Sequence, residues 1–332
     1  MCRLYTILNS HGQRCAWPAT SKLQKSLPVP HTAIDTNRAT ALSLFNPNDE
    51  DVAVTLDYDT GPSGNRTLNA KSRWFLSLTQ TEPVSSIDST GYISAMEIFE
   101  SLTSGGDMAA LLLKRRYLNA LYVPTIFYGS GEFTGIGLTN RSYDGTGTVF
   151  GYNEVGEVEE ISLGTLLFQE RITVLLSRIL DDDTVWAEIH GEADFTTPFG
   201  PPVLHFQGLA LYGEDSTGKL AAVNLNALRF REGFLGILST DPEPTFALVN
   251  PDTVDATIAV TGYNSDGEVL ASNTVQIIMA GSNMTGAVSD LFNGTSLTDV
   301  THIRIVSDID IYGFETVYTG ERMEMLPVLG VY

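Results

Sequence analysis

Five histidines, His11, His31, His190, His205 and His302, are the first place to look for chemistry in this chain. None stands at His-x-x-x-His or His-Glu-x-x-His spacing, and Cys2 and Cys15 are too far apart for a Cys-x₂₋₄-Cys pair, so the zinc signatures are missing. His190 and His205 flank an insertion that would fold them together. Glu188 or Glu192 would then complete a metal-binding or acid/base group. The Gly-x-Ser-x-Gly elbow of serine hydrolases is absent, and so are Gly-x-Gly-x-x-Gly and Gly-Lys-Ser/Thr phosphate loops in a strand-to-helix setting. Glycoside hydrolysis needs two carboxylates across a cleft. Forty acidic residues neither supply nor exclude such a pair. A hydrolase using a carboxylate pair or His190 with His205 is thus the remote reading.

Two other groups could bind. Hard cations need several converging oxygens, and Asp181, Asp182 and Asp183 are the candidate Ca²⁺ site, with a solvated turn as the plainer alternative. The stretch lacks the spacing of a helix-loop-helix calcium loop, and no other cofactor is implied. Trp74, Trp186, Phe195, Phe199 and Tyr212 are the aromatics that would line a groove for a glycan or a protein, against the plainer reading that they fill cores. Phe195 and Phe199 belong to the Pro-rich insertion near 194–202, which either covers a sandwich end or meets a partner.

Charge limits the partners. Nineteen basic against 40 acidic residues give a net charge of −21 and a pI near 4.4, a field that repels nucleic acid and anionic membrane surfaces. No apolar run is long enough for a membrane-spanning helix. Ala109–Leu113 reads as a buried strand, and Lys114-Arg115-Arg116 as a solvated basic run at a domain junction. The stretch 1–26 is an atypical basic tail: Arg3, Arg14, Lys22 and Lys25 occur with no acidic residue. It does not have the pattern of a signal peptide. An authentic tail, a remnant of an upstream domain and a start codon inside a longer frame all fit it. Leu4, Tyr5, Ile7 and Leu8 would form an edge strand on the first unit, and an edge strand is a natural assembly element.

The elements that must position these residues read as strands. Val52–Tyr58 alternates, with Val52, Val54, Leu56 and Tyr58 on one face. Thr245–Asn250 and Thr257–Tyr263 repeat the pattern before the turn at Asn264–Gly267. Gly91–Phe99 is expected as a strand after a loop over Thr81–Thr90, and Ile303–Val306 and Ile309–Val317 as two more. Landmarks recur. Asn46, Asn140 and Asn250 each end a strand. Tyr58, Tyr152 and Tyr263 follow them by 12, 12 and 13 residues. Val174–Leu180 resembles Ala287–Phe292, and Gly106–Leu112, Gly218–Asn224 and Gly320–Leu326 close each unit. With 332 residues and a period of roughly 100, this predicts an all-β chain of three tandem antiparallel β-sandwiches related by internal duplication. The boundaries fall at 27–113, 114–225 and 226–332. Four Asn-x-Ser/Thr sequons, at Asn65, Asn140, Asn283 and Asn293, matter only in a glycosylating host.

Asn250-Pro251, Tyr263-Asn264, Ser289-Asp290-Leu291-Phe292 and Gly313-Phe314 carry a resemblance to tandem Ig-like β-sandwich repeats of bacterial secreted and cell-surface proteins. The middle unit departs from it with Asn140-Arg141, and the first has no Ser-Asp-Leu-Phe segment. The resemblance implies an extracellular structural or adhesive protein, self-associating or bound to another surface protein or a glycan, and it names no catalytic residue. A carbohydrate- or protein-binding module is the alternative expectation.

Overall fold

The computed structural model describes residues 4–8, 14–18, 23–79, 83–103, 106–129, 131–198, 200, 202–225, 229–236, 243–294, 297–319 and 322–330. Strands dominate. β1 (Leu4–Leu8) and β2 (Arg14–Pro18) pair with each other as a separate two-stranded hairpin. The expectation that Leu4, Tyr5, Ile7 and Leu8 add an edge strand to the first unit is therefore corrected. Closing the short loop between β1 and β2 costs less chain entropy than pairing with a distant edge.

Among the described residues the remaining strands fall into three groups, and each strand pairs only within its group. The first contains β3 (Gln24–Pro28), β4 (Arg38–Phe45), β5 (Val52–Tyr58), β6 (Gly64–Leu68), β7 (Arg73–Ser77), β8 (Val84–Ser101) and β9 (Met108–Leu112). Its layers run β3-β8-β5-β6 and β7-β4-β8-β9, all antiparallel. β8 serves both: its first half pairs with β3 and β5, its second with β4 and β9. Gln24 already pairs with Ile93, so strand pairing starts inside the stretch that reads as tail.

The second group contains β10 (Leu121–Val123), β11 (Glu132–Asn140), β12 (Gly145–Asn153), β13 (Val158–Leu166), β14 (Arg171–Leu175), the short helix α1 (Leu176–Ile179), β15 (Thr184–Ala193), β16 (Phe206–Glu214) and β17 (Lys219–Asn224). Its layers are β10-β15-β12-β13 and β14-β11-β16-β17. The third contains β18 (Phe230–Gly236), β19 (Thr245–Asn250), β20 (Ala256–Tyr263), β21 (Val269–Ile278), β22 (Ser282–Ala287), β23 (His302–Thr319), β24 (Arg322–Pro327) and β25 (Leu329–Gly330). Here β23 crosses between layers as β8 does, pairing first with β18 and β20 and then with β19 and β24. The insertion after Ala193 divides the same long strand into β15 and β16. One pairing scheme thus occurs three times.

A buried asparagine closes one corner of each group. Asn46, Asn140 and Asn250 are 0–2% exposed. Each side-chain amide donates to three backbone carbonyls: Glu50, Leu68 and Asn69 for Asn46; Tyr143, Leu166 and Leu167 for Asn140; Val254, Ile278 and Met279 for Asn250. Each side-chain oxygen accepts from the N–H two residues on, at Asn48, Ser142 and Asp252. A buried amide is stable only when its donors and acceptor are matched, and this corner matches them with main chain. A glycan cannot be carried at Asn140.

The tyrosine landmark is less regular. Tyr152 and Tyr263 hold the same register, opposite Trp186 and His302 and stacked on them at 3.9 and 5.2 Å. Tyr58 lies one place short. Leu56, Val149 and Val260 share a register opposite Ile87, Ile189 and Ile305, which puts Tyr58 level with Gly151 and Gly262. The loop after Asn140 is one residue shorter than its counterparts, so equal spacing conceals an offset. The Ser289-Asp290-Leu291-Phe292 landmark lies in a 3₁₀ turn over Val288–Phe292, with Val288, Leu291 and Phe292 buried in the third core, and α1 occupies the matching connection of the second group.

Candidate functional site

A cleft of about 500 Å³ opens on the outer face of the β15-β12-β13 sheet. Side chains two apart on a strand share a face, so β12 offers Thr146, Thr148, Phe150 and Tyr152 while β15 offers Glu188, His190 and Glu192. His190 Nε2 lies 2.5 Å from Glu188 Oε1, and the Phe150 ring meets His190 edge-on at 5.7 Å. Tyr152 donates to the other Glu188 oxygen at 3.4 Å. Burial alone would raise the Glu188 pKa. Hydrogen bonds from His190 and Tyr122, with the nearby charges of His190 and Arg229, outweigh it and hold the carboxyl below its ordinary range. The Tyr152 phenol is pushed up to about 12, by burial first and by Glu188 second. A carboxylate and an imidazole in contact can move a proton, but both Glu188 oxygens already serve neighbouring side chains.

The same face runs from the cleft into a seam with the third group. Trp186 is completely buried there, and its indole N–H donates to the Gly281 carbonyl at 3.2 Å. Tyr122 and Tyr312 stack at 4.0 Å, and the Arg229 guanidinium lies 5.6 Å from both rings, bonded to the Tyr122 hydroxyl and paired with Asp252 at 2.8 Å. Asn283 donates to the carbonyls of Pro124 and Val185. Phe314, Met323 and Met325 complete the seam inside the second group's hydrophobic cluster. Glu188 thus belongs to a network that fastens two groups together.

A matching seam joins the first and second groups. The Arg171 guanidinium donates to the carbonyls of Val29 (3.1 Å) and Val84 (2.7 Å) and to the Thr32 hydroxyl, and pairs with Asp59. Thr173 meets His31 at 2.8 Å, and Gln207 reaches the Pro28 carbonyl. Leu209, Leu220 and Ala222 are buried in the first group's cluster. β11 packs so closely on the segment after β3 that a Cβ on Gly137 would sit 2.4 Å from the His31 Cβ. Burial first, then the positive charges of Arg171 and Arg38, lower the His31 pKa to about 4.

The two seams use the same positions. Arg171 and Asn283 stand opposite the residue before the clasp asparagine, at Thr139 and Val249. Gln207 and Tyr312 face those same two residues, and Leu209 and Phe314 face Gly137 and Ala247. At the centre Asp107 joins all three groups. Its N–H donates to the Gly218 carbonyl, and its carboxylate accepts from the Met323 N–H.

The sequence-selected aromatics do not form one groove. Trp186 and Tyr212 are completely buried, which removes both as ligand platforms. Trp74 is half-buried under the Arg66 guanidinium at 4.5 Å. Phe195 is 47% exposed and packs edge-on to Tyr143, while Phe199 lies outside the described residues. Asp181, Asp182 and Asp183 do not converge: the Asp181 N–H caps Glu159 and Asp183 faces Asn153. Among the described residues no three His, Cys, Asp or Glu side chains are placed to hold a metal. Glu192 and His190 line the cleft, and His205 is not among its lining residues. Sequence reasoning missed Arg171, Asn283, Tyr122, Arg229 and Tyr312. The one available signal was a lone arginine opening the otherwise uncharged run Arg171–Leu175.

No family model matches the chain, and no curated protein matches it. Solved structures align over nearly its whole length at very low similarity. A chain from work on the triple jelly roll fold and turret assembly in an archaeal virus is 11% identical, with 98% of this chain and 90% of that one covered and a TM-score of 0.19. A chain from the atomic structure of Sulfolobus Turreted Icosahedral Virus is 12% identical over 99% and 90%, also at 0.19. A tetra-tandem repeat from the extending region of a large adhesion protein is 12% identical over 98% and 80%, at 0.13. TM-scores this low carry no weight for fold or function.

Proposed function

We propose that the chain is a non-catalytic structural subunit that assembles at an extracellular or cell surface, its three sandwiches held as one stiff body. The observation that carries this reading is the seam built twice from the same positions, with a shared hydrophobic cluster at each. Loosely linked domains meet through smaller, more polar interfaces. Here side chains of one group complete the core of the group before it, so orientation is fixed by packing. The cleft supports the same reading, because Glu188, its most strongly held carboxylate, serves the seam.

Light scattering and electron microscopy of the purified full chain test the proposal. Ordered oligomers or rods are expected. A uniform 36.0 kDa monomer at every concentration would contradict it.

A further inference from the structure

Among the described residues no sandwich docks on the seam-type face of the first group or on that of the third, and both faces can be located by register. On the first group the register places Arg73 where Arg171 and Asn283 stand, opposite Phe45, which precedes Asn46. Phe75 takes the place of Thr173 and Thr285, opposite Ser43. Phe45 and Phe75 are 43% and 53% exposed, large values for phenylalanine on a sheet face. Arg73 bonds Ser43 of its own group through Nε at 2.6 Å, and the residue is exposed.

The third group presents the complementary face. Pro28 and Tyr122, which receive Gln207 and Tyr312 in the two seams, follow Leu27 and Leu121, residues opposite Ile87 and Ile189. Gly233 stands opposite Ile305, so Phe234 is the third member of that series. His302 is the counterpart of Trp186, opposite Tyr263 as Trp186 is opposite Tyr152. Trp186 is completely buried by the next group, whereas Phe234, Tyr263 and His302 stay partly exposed and lean on one another, with ring centroids 6.2 and 5.2 Å apart.

We infer that a second copy of this chain covers these faces, the first sandwich of one copy docking on the third sandwich of the next as successive sandwiches dock within the chain. The occupant follows from the seams themselves: the surface each face already accepts, twice, is another unit of this same chain. Such a contact is heterologous, so it propagates into a ring or a filament. The hairpin limits its extent. β2 lies along β9, as β9 lies along β17 and β17 along β24, and it also touches β24. It therefore takes up the β9 side of the first face, and the contact between copies uses the β4 and β7 side, where Phe45 and Phe75 are exposed.

The inference rests on the structural reading above, and one set of variants separates the two. Phe75→Glu spoils the first face and His302→Glu the last, with Phe45→Glu and Phe234→Glu as second choices if either misfolds by circular dichroism. Light scattering should show each variant alone as a monomer and the wild type as larger assemblies. An equimolar mixture of the two variants should give two-chain complexes and nothing larger, since each retains the face the other has lost. Wild-type assembly unchanged in folded variants, or a mixture that stays monomeric, overturns the head-to-tail contact while the structural reading stands. A monomeric wild type overturns both.

Discussion

Asn46, Asn140 and Asn250 concentrate more hydrogen bonds on one side chain than any other residue type in the chain's corners, and truncation would leave carbonyls unmatched in a dry site. Each buried polar group left unpaired costs about 1–3 kcal/mol. Asn→Ala at any of the three should therefore lower stability by about 3 kcal/mol in urea denaturation, with similar size in all three groups. Two residues set opposite pH trends. Burial raises the Glu315 pKa to about 7, against 4.5 for the ordinary group, despite the N–H of Gly236 donating to it. The folded state holds this proton to higher pH than the unfolded one. Its stabilisation is complete below about pH 4.5 and is lost as pH rises to about 7, a change of about 3 kcal/mol at roughly 1.4 kcal/mol per pKa unit. His31 behaves inversely: lowered from 6.5 to about 4, it contributes fully above pH 6.5 and loses that contribution as pH falls toward 4. Denaturation between pH 4 and 8 should show that Glu315→Gln removes the loss on the alkaline side of this range. The Asn positions were legible as strand ends in the sequence, but their nine carbonyl partners were not, because four residues of turn do not reveal which main chain closes over them.

Among the elements, β5 was read correctly to the residue because its alternation is clean and one face is core. The long strands β8 and β23 were not. Ser85, Ser86, Asp88 and Ser89 look like a loop, yet Val84 and Ile87 beside them are completely buried and the strand continues to Ser101. A strand that leaves one layer for the other changes its inward face on the way, and a period-2 pattern breaks at that point. The cleft was half legible: Glu188, His190 and Glu192 line it, whereas His205, grouped with them in the sequence, is not among its lining residues, and nothing local marked Glu188 as a neighbour of another group. The seams themselves make a separable prediction. Arg171→Ala removes the donor to Val29, Val84 and Asp59, and Gly137→Val forces β11 away from the Pro30-His31 segment it already touches. Both should separate the unfolding of the first group from that of the other two, whereas Asn283→Ala should loosen the third. Hydrogen exchange resolved by segment would show which amides lose protection.

At the scale of the whole molecule, one pairing scheme three times over explains the length and the recurring landmarks, while the seams explain why the units are not beads on a string. Each seam places apolar side chains of one group in the core of the group before it, so neither the first nor the second group keeps its full core alone. Differential scanning calorimetry of the intact chain tests this most directly. Unfolding enthalpies run near 0.7 kcal/mol per residue around 60 °C, or roughly 230 kcal/mol for 332 residues. A single transition whose van't Hoff enthalpy matches that total is the predicted result. Three resolved transitions, each with about a third of the enthalpy, would show independent sandwiches and contradict the account.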